Sequence, residues 1–421
     1  MVVIKNYLFI LIILFLLFSK SLFSSQIYDY QTEKLLENIS SKILSVNSYN
    51  KKINFKVIND PFPNAFVNQN NTLFLSSGLL IHSPDYVALL AVIAHEIGHI
   101  EKYHVSKRII EIDDLKNYNS LSNLAAIAGS MIIQQPELMN AVLFNQTAIN
   151  NIYLNFSQDQ EKEADLYSVE TLNKLKLPTD SVKKFLSILE NKSKFNLLDD
   201  ELKKFSTHPL FQERYEIIDN KKRKNSNNFD EDLQNEFNFI KAKFMAYTGS
   251  DYSKELEGDE KIYYQAIQNS LSGNLSKSLK KLNILISKHR NNLFIVETKA
   301  DILLSYGYNK EAIEFYKIVI KKYPKNNYAK FNIFLNTNYN DNEKIYLEEL
   351  FFKNINLISL FPNNKVLITK LYKLSKIVES PHWISFFEIL LFEKKDLKKK
   401  LIKLQKKTED NNLKKIIKLY I

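Results

Sequence analysis

The spacing of apolar residues changes from stretch to stretch along this chain, and each change predicts an element. Tyr7 to Phe18 is unbroken apolar, preceded by Lys5 and followed by Ser19, Ser21, Ser24 and Ser25. That is the layout of a secretory signal peptide over residues 1–25, too short for a comfortable membrane span of ~20 residues. An uncleaved N-terminal anchor is the alternative, and either way the remainder is expected to be exported. From Gln26 to Asn47, Leu35, Leu36, Ile39, Ile43 and Leu44 recur at helical spacing. Asn54 to Ile58 and Thr72 to Leu75 read as short strands, joined through the Pro61-Phe62-Pro63 turn region. Asp85 to Ala94 is largely apolar and free of Gly and Pro, which predicts a helix running through Ile100. Leu115 to Asn155 is mixed and mostly helical in pattern, a candidate lid over a cleft. Within it, Leu124 to Ile133 is apolar but short, fitting a buried helix or a covering segment.

The second half has a different rhythm. Asn220 to Asp232 is charged, Asn-rich and poor in apolar residues, so it is expected to link a first domain over 26–219 to a second over 233–421. In the second domain Ala266 and Ala300, and Gly273 and Gly307, are separated by 34 residues. Ala300, Leu303, Ala312, Tyr316 and Pro324 occupy the small, apolar and helix-ending positions of a tetratricopeptide repeat. The preceding copy is degenerate at Ser278 and Leu282, and a third unit ending at Pro362 implies an insertion near Asn338 to Asn342. Such helix pairs bury their faces by stacking on one another, and their groove usually binds peptides or partner proteins.

Composition narrows the setting. With 421 residues, 45% hydrophobic and 25% charged, the chain can build two separate cores. It has no cysteine, so packing alone must hold both domains, and no thiol is available to carry a lipid after the leader. Part of the net charge of +11 comes from Lys394 to Lys418, where lysines alternate with Leu397, Leu401 and Leu404. This predicts a solvated helix face or contact with an anionic surface, either membrane phosphate groups or an acidic partner. Nothing beyond charge points to nucleic acid.

The candidate chemistry lies in His95-Glu96-Ile97-Gly98-His99. On a helix, positions i and i+4 share a face, so the two imidazoles can hold one Zn²⁺ with Glu96 beside the open position as general base. A metzincin would continue with Gly at 102 and His at 105, where this chain has Lys102 and Val105. His104 is out of frame, expected to turn away from His99. The gluzincin pattern instead takes its third ligand from a second helix carrying E-x-x-x-D, and Glu161-Lys162-Glu163-Ala164-Asp165 fits it. Glu161 is the candidate ligand. Asp165, on the same face, would accept the free N–H of a ligating histidine, whereas Glu163 points elsewhere. Gly98 costs about 1 kcal/mol relative to Ala inside a helix, and is explained if the cleft or a neighbouring strand passes too close for a side chain.

These segments, together with Thr207-His208-Pro209 and Arg214, resemble the HtpX-like gluzincin peptidases, relatives of the CaaX prenyl endopeptidases. Asn64-Ala65-Phe66 through Ser77-Gly78-Leu79-Leu80 is similar to the strand and turn before the zinc helix in that family, and the likeness covers Asn59 to Tyr215. It implies an α+β peptidase domain, mostly helical with a small sheet, here followed by an all-α repeat domain. It also implies one Zn²⁺ per chain and a periplasmic, outer-membrane-associated endopeptidase acting on misfolded or misassembled exported proteins. The repeats would dock on the β-barrel assembly machinery. The resemblance makes His208 a candidate reversible fourth ligand and leaves Arg214 between a transition-state and a structural role. The Phe66 to Leu75 region is either an edge for pairing with substrate backbone or an ordinary hairpin. A chaperone-like adaptor with a structural zinc, and a membrane-anchored quality-control peptidase, are the rival readings.

Overall fold

The computed structural model describes residues 26–68, 70–107, 156–195, 211–221, 228–249, 255–338, 344–393 and 396–421. The leader, the Leu115–Asn155 insert and Thr207-His208-Pro209 lie outside these. The chain divides into two compact units, Met1–Glu260 and Lys261–Ile421.

In the first unit, helix α1 (Tyr30–Val46) starts where Asp29 accepts the Thr32 N–H, and it buries Leu35, Leu36, Ile39 and Ile43. The strands β1 (Gln26–Ile27), β2 (Asn54–Ile58), β3 (Ala65–Val67) and β4 (Thr72–Ser76) form one sheet in the order β1-β2-β4-β3. β2 and β4 run parallel, in register from Asn54 opposite Thr72 to Ile58 opposite Ser76. Between them, β3 turns back antiparallel on β4, with Ala65 opposite Leu75, and ends the sheet. The Asn68 side chain tightens this hairpin by accepting the Asn70 and Thr72 N–H groups, while Asn71 takes a left-handed conformation at φ 53°. The short helix α2 (Ser77–His82) follows β4 directly, capped by the Ser76 hydroxyl. Gly78 is required there. A Cβ would lie 2.3 Å from the Pro61 carbonyl oxygen, and the Gly78 N–H donates to the Asp60 carbonyl at 2.8 Å.

Helix α3 (Tyr86–Glu101) is buried on nearly every side, as its unbroken apolar run requires. Asp85 caps it by accepting the Ala88 N–H and also accepts from the Ser181 hydroxyl. Helix α4 (Gln158–Leu175), opened by a Ser157/Gln160 capping box, packs along α3, where the Ser168 hydroxyl donates to the Ala91 carbonyl at 2.7 Å. Helices α5 (Asp180–Phe195) and α6 (Phe211–Lys221) close over α4 through Val169, Leu186 and Ile218.

The predicted linker is only partly a linker. Residues 222–227 lie outside the described set, but Asn228 to Asp230, though largely exposed, are tied to the first unit. The Asn228 amide bonds the Leu175 carbonyl, the Asp230 N–H donates to the Tyr86 hydroxyl, and Phe229 lies on the Tyr86 ring. Helix α7 (Glu231–Thr248), assigned by sequence to the repeats, belongs to the first unit. It buries Leu233, Phe237, Ile240, Phe244 and Met245. Polar anchors hold it: Lys42 to Asp230, Lys243 to Asp29, and the Tyr86 N–H to the Gln234 side chain at 3.0 Å. The boundary therefore falls near Glu260 rather than at 220–232. A polar, charged sequence marked the start of a capped helix, and the apolar side of that helix supplied the unit's last wall.

The second unit is all helical among its described residues. Hairpins repeat with the expected period: helices α8 (Leu275–Lys288) and α9 (Leu293–Ser305) are followed by α10 (Asn309–Lys322) and α11 (Asn327–Asn336). Gly273 and Gly307 occupy equivalent turns, both at φ 82°, a conformation that favours glycine. Val296, Ala300, Leu303, Ala312, Tyr316, Val319 and Ala329 form a shared core. The third unit expected to end at Pro362 contains α11 and α12 (Lys344–Asn354); residues 339–343, most of its predicted insertion, lie outside the described set, and the short helix Leu357–Leu360 and then α13 (Lys365–Ile377) follow. In helix Leu397–Lys407 the predicted arrangement holds, with Leu401 and Leu404 buried and Lys398, Lys399, Lys403 and Lys406 exposed. Among the described residues, no helix is long and apolar enough to cross a membrane.

Candidate active site

Two helices build the site. α3 carries His95 and His99 one turn apart, and α4 lies against that face with Glu161 in its first turn. His95 Nε2 and His99 Nε2 are 3.1 Å apart; the Glu161 oxygens lie 3.4 Å from the first and 3.5 Å from the second. All three side chains are buried, and their ligand atoms fall within 4.8 Å of one another. Donors bound tetrahedrally at about 2.0–2.2 Å stand about 3.3–3.6 Å apart. The spacing and the chemistry of the donor set therefore fit Zn²⁺ with little rearrangement. Glu96, next to the first histidine, is 1% exposed.

Gly98 explains how the helices come so close. A Cβ there would stand 3.2 Å from the Tyr167 Cβ and 3.3 Å from the Ala164 Cα, so the close neighbour is the helix α4 and not the cleft or a strand.

Asp165 and Arg214 form one assembly. Asp165 Oδ1 lies 2.9 Å from His95 Nδ1, on the side of the ring opposite the donor atom. Arg214, from α6, clamps the same carboxylate with Nε at 2.9 and 3.1 Å and an Nη at 2.8 Å. Burial alone would push the Asp165 carboxyl up. The Arg214 guanidinium and the His95 hydrogen bond outweigh it and hold the pKa down at about 2. Of the two roles left open for Arg214, the contacts favour the structural one.

Two residues depart from expectation. His104 does not turn away: it is 1% exposed, its Nδ1 lies 3.0 Å from His99 Nδ1, and its Nε2 lies 3.0 Å from Glu163 Oε2. Glu163 thus points off the ligand face, as expected, yet reaches this histidine. The wheel argument failed because α3 ends at Glu101. Tyr103 takes φ 60°, and helical conformation resumes at His104, folding it back under His99. No glycine or asparagine announces that turn. Phe156 was also missed; its ring stacks on His99 at 3.7 Å and 17°, and its sequence gives no signal of it. His208 lies outside the described residues.

A buried two-histidine helix, with a glutamate supplied by the next helix and a second, buried glutamate within the motif, is the donor set of a gluzincin zinc metallopeptidase. Comparison with known proteins gives the family: residues 29–222 match Peptidase family M48, so the chain carries an M48 peptidase domain. The putative beta-barrel assembly-enhancing protease of Vibrio cholerae is 29% identical over 171 residues, 39% of this chain and 34% of that protein. The beta-barrel assembly-enhancing protease of Escherichia coli K12 is 24% identical over 166 residues, again 39% of this chain and 34% of the relative. Metalloprotease LoiP of the same organism is 33% identical over 131 residues, 31% of this chain and 48% of its own. The match thus spans about a third of the length of the assembly-enhancing relatives.

Proposed function

We propose that this protein is an exported zinc endopeptidase that removes misfolded or misassembled envelope proteins, with outer-membrane proteins as its main clients. The observation that carries the reading is the convergence of His95, His99 and Glu161 around one point, with Glu96 buried beside them. When bound, zinc supplies a Lewis acid that polarises the scissile carbonyl and acidifies water. Glu96 accepts the proton of the attacking water and returns it to the leaving amide nitrogen. Asp165, held by Arg214, fixes the His95 ring so that Nε2 faces the metal. β3 ends the sheet beside α3, a position suited to pairing with an extended, unfolded substrate backbone. The names of the assembly-enhancing relatives support an envelope client.

The 34-residue hairpin period supports reading the second unit as tetratricopeptide-like, with a groove for partner proteins and the outer-membrane assembly machinery as its docking partner. The apolar leader supports export to the periplasm. His208 is proposed as a latch on the metal. On that reading His208→Ala raises basal proteolysis and self-cleavage, and unchanged or lower activity with zinc retained rejects it.

The deciding experiment is casein digestion by the full chain. Glu96→Gln should keep zinc and lose cleavage by at least two orders of magnitude, the scale of general-base catalysis. Cleavage that persists in this variant rejects the mechanism. A wild type that binds zinc and unfolded clients but cuts nothing favours the chaperone-like adaptor.

A further inference from the structure

The two histidines on α3 are supported by different devices. His95 leans on a carboxylate, Asp165, that is itself held by Arg214. His99 leans on a second imidazole. We propose that His104 and Glu163 form a directional hydrogen-bond relay that fixes the His99 tautomer and so sets the affinity of the site for zinc. The inference rests on the reading that His95, His99 and Glu161 hold that metal.

The direction follows from the geometry. The Nε2 atoms of His95 and His99 face each other across 3.1 Å, on the side where Glu161 arrives. An imidazole that offers Nε2 to a metal carries its proton on Nδ1. His99 Nδ1–H must therefore donate, and the atom it meets at 3.0 Å is His104 Nδ1. That atom can accept only if His104 holds its own proton on Nε2, where it meets Glu163 Oε2 at 3.0 Å. An ionised carboxylate accepts and never donates, so Glu163 imposes the order from the far end. With Glu163 removed, His104 is free to carry the proton on Nδ1. Two donors would then face each other, and His99 would be driven to the tautomer whose Nε2 is blocked. His104 is held in place: it is buried, and Tyr103 at φ 60° commits backbone strain to folding it under His99. Glu163 is 55% exposed in its side chain. Water can partly replace it, and its loss should matter less than that of His104.

The relay is a positioning device, so its test reads metal affinity and tautomer rather than turnover. Asparagine places its Oδ1 as far from Cβ as histidine places Nδ1 and can accept from His99; leucine has nearly the shape of asparagine with no acceptor. Zinc dissociation constants would be measured by chelator competition on the full chain, with melting of the zinc-free proteins as a check on folding. His104→Leu should bind zinc about 10–100-fold more weakly than wild type. His104→Asn should stay within a few-fold, and Glu163→Ala should fall between. Equal affinities for His104→Leu and His104→Asn overturn the relay. Should neither fold, nitrogen NMR of the zinc-loaded wild type decides: His104 protonated on Nε2 supports the relay, and on Nδ1 refutes it. A wild type that binds no zinc refutes the metal reading itself, which separates that failure from failure of the relay.

Discussion

Gly98→Ala isolates the contact on which the metal site is built. Alanine in a helix interior is favoured over glycine by about 1 kcal/mol, so an open site would be stabilised by the change. This site is not open. The new methyl group would meet Tyr167 Cβ at 3.2 Å, Ala164 Cα at 3.3 Å and Tyr167 Cγ at 3.3 Å, and α4 would have to withdraw by a few tenths of an ångström. Overpacking of that kind costs typically about 1–3 kcal/mol. Set against the helix gain, the zinc-free protein should end between unchanged and about 2 kcal/mol less stable. The effect on the metal should be clearer. Ala164 lies one turn beyond Glu161 on the same rigid helix, so the displacement reaches the carboxylate nearly undiminished. A metal–ligand distance tolerates about 0.2 Å, less than the expected shift. Zinc affinity should fall at least about tenfold, equivalent to about 1.4 kcal/mol. The assay pairs thermal melts in chelator with a competition titration. A variant that melts higher than wild type and binds zinc equally well would refute the argument, because Gly98 would then have no packing reason.

Two further perturbations follow from the same contacts. A chain ending at Glu260 should fold and bind zinc, whereas one ending at Asn220 exposes the surface covered by Leu233, Phe237, Ile240, Phe244 and Met245; circular-dichroism melts should show it strongly destabilised or unfolded, and equal melting of the two would return the boundary to residues 220–232. Arg214→Met should cost about 3–5 kcal/mol by leaving the Asp165 carboxylate buried without its cation, and Arg214→Lys should recover only part, because an ammonium cannot reproduce the two-nitrogen clamp; full recovery by lysine in a denaturant titration would show that charge alone suffices.

Much of the peptidase unit was legible because its signals are local. The apolar run before His95 can only be a buried helix, and i, i+4 spacing places both imidazoles on one face without any knowledge of the fold. The E-x-x-x-D segment states its own geometry in the same way, which is why Glu161 and Asp165 arrive where their spacing puts them. The sheet was less legible. Ala65–Val67 is too short to show alternation, so the parallel pairing of β2 with β4, and the edge strand beside it, had to come from the structure. The domain boundary was misread for a related reason. Charge and asparagine describe how a segment meets water, and the first turn of a capped helix meets water as a linker does; only the heptad-like spacing of Leu233, Phe237, Ile240 and Phe244 tells them apart.

His104 shows where reasoning from a helical wheel stops. The wheel is valid only while the helix lasts, and α3 ends two residues before Tyr103 adopts a left-handed conformation. For a tyrosine that conformation costs roughly 1–2 kcal/mol, a cost no local signal in the sequence announces. What offsets it is tertiary: an imidazole buried against His99 and tied to Glu163 on the neighbouring helix. The same turn therefore hides His104 from the sequence and delivers it to the metal site. A helix continued by one more turn would have left His99 Nδ1 to find another acceptor. Strain of this kind persists where surrounding contacts over-determine it, and here the contacts that do so belong to the metal's own supporting shell.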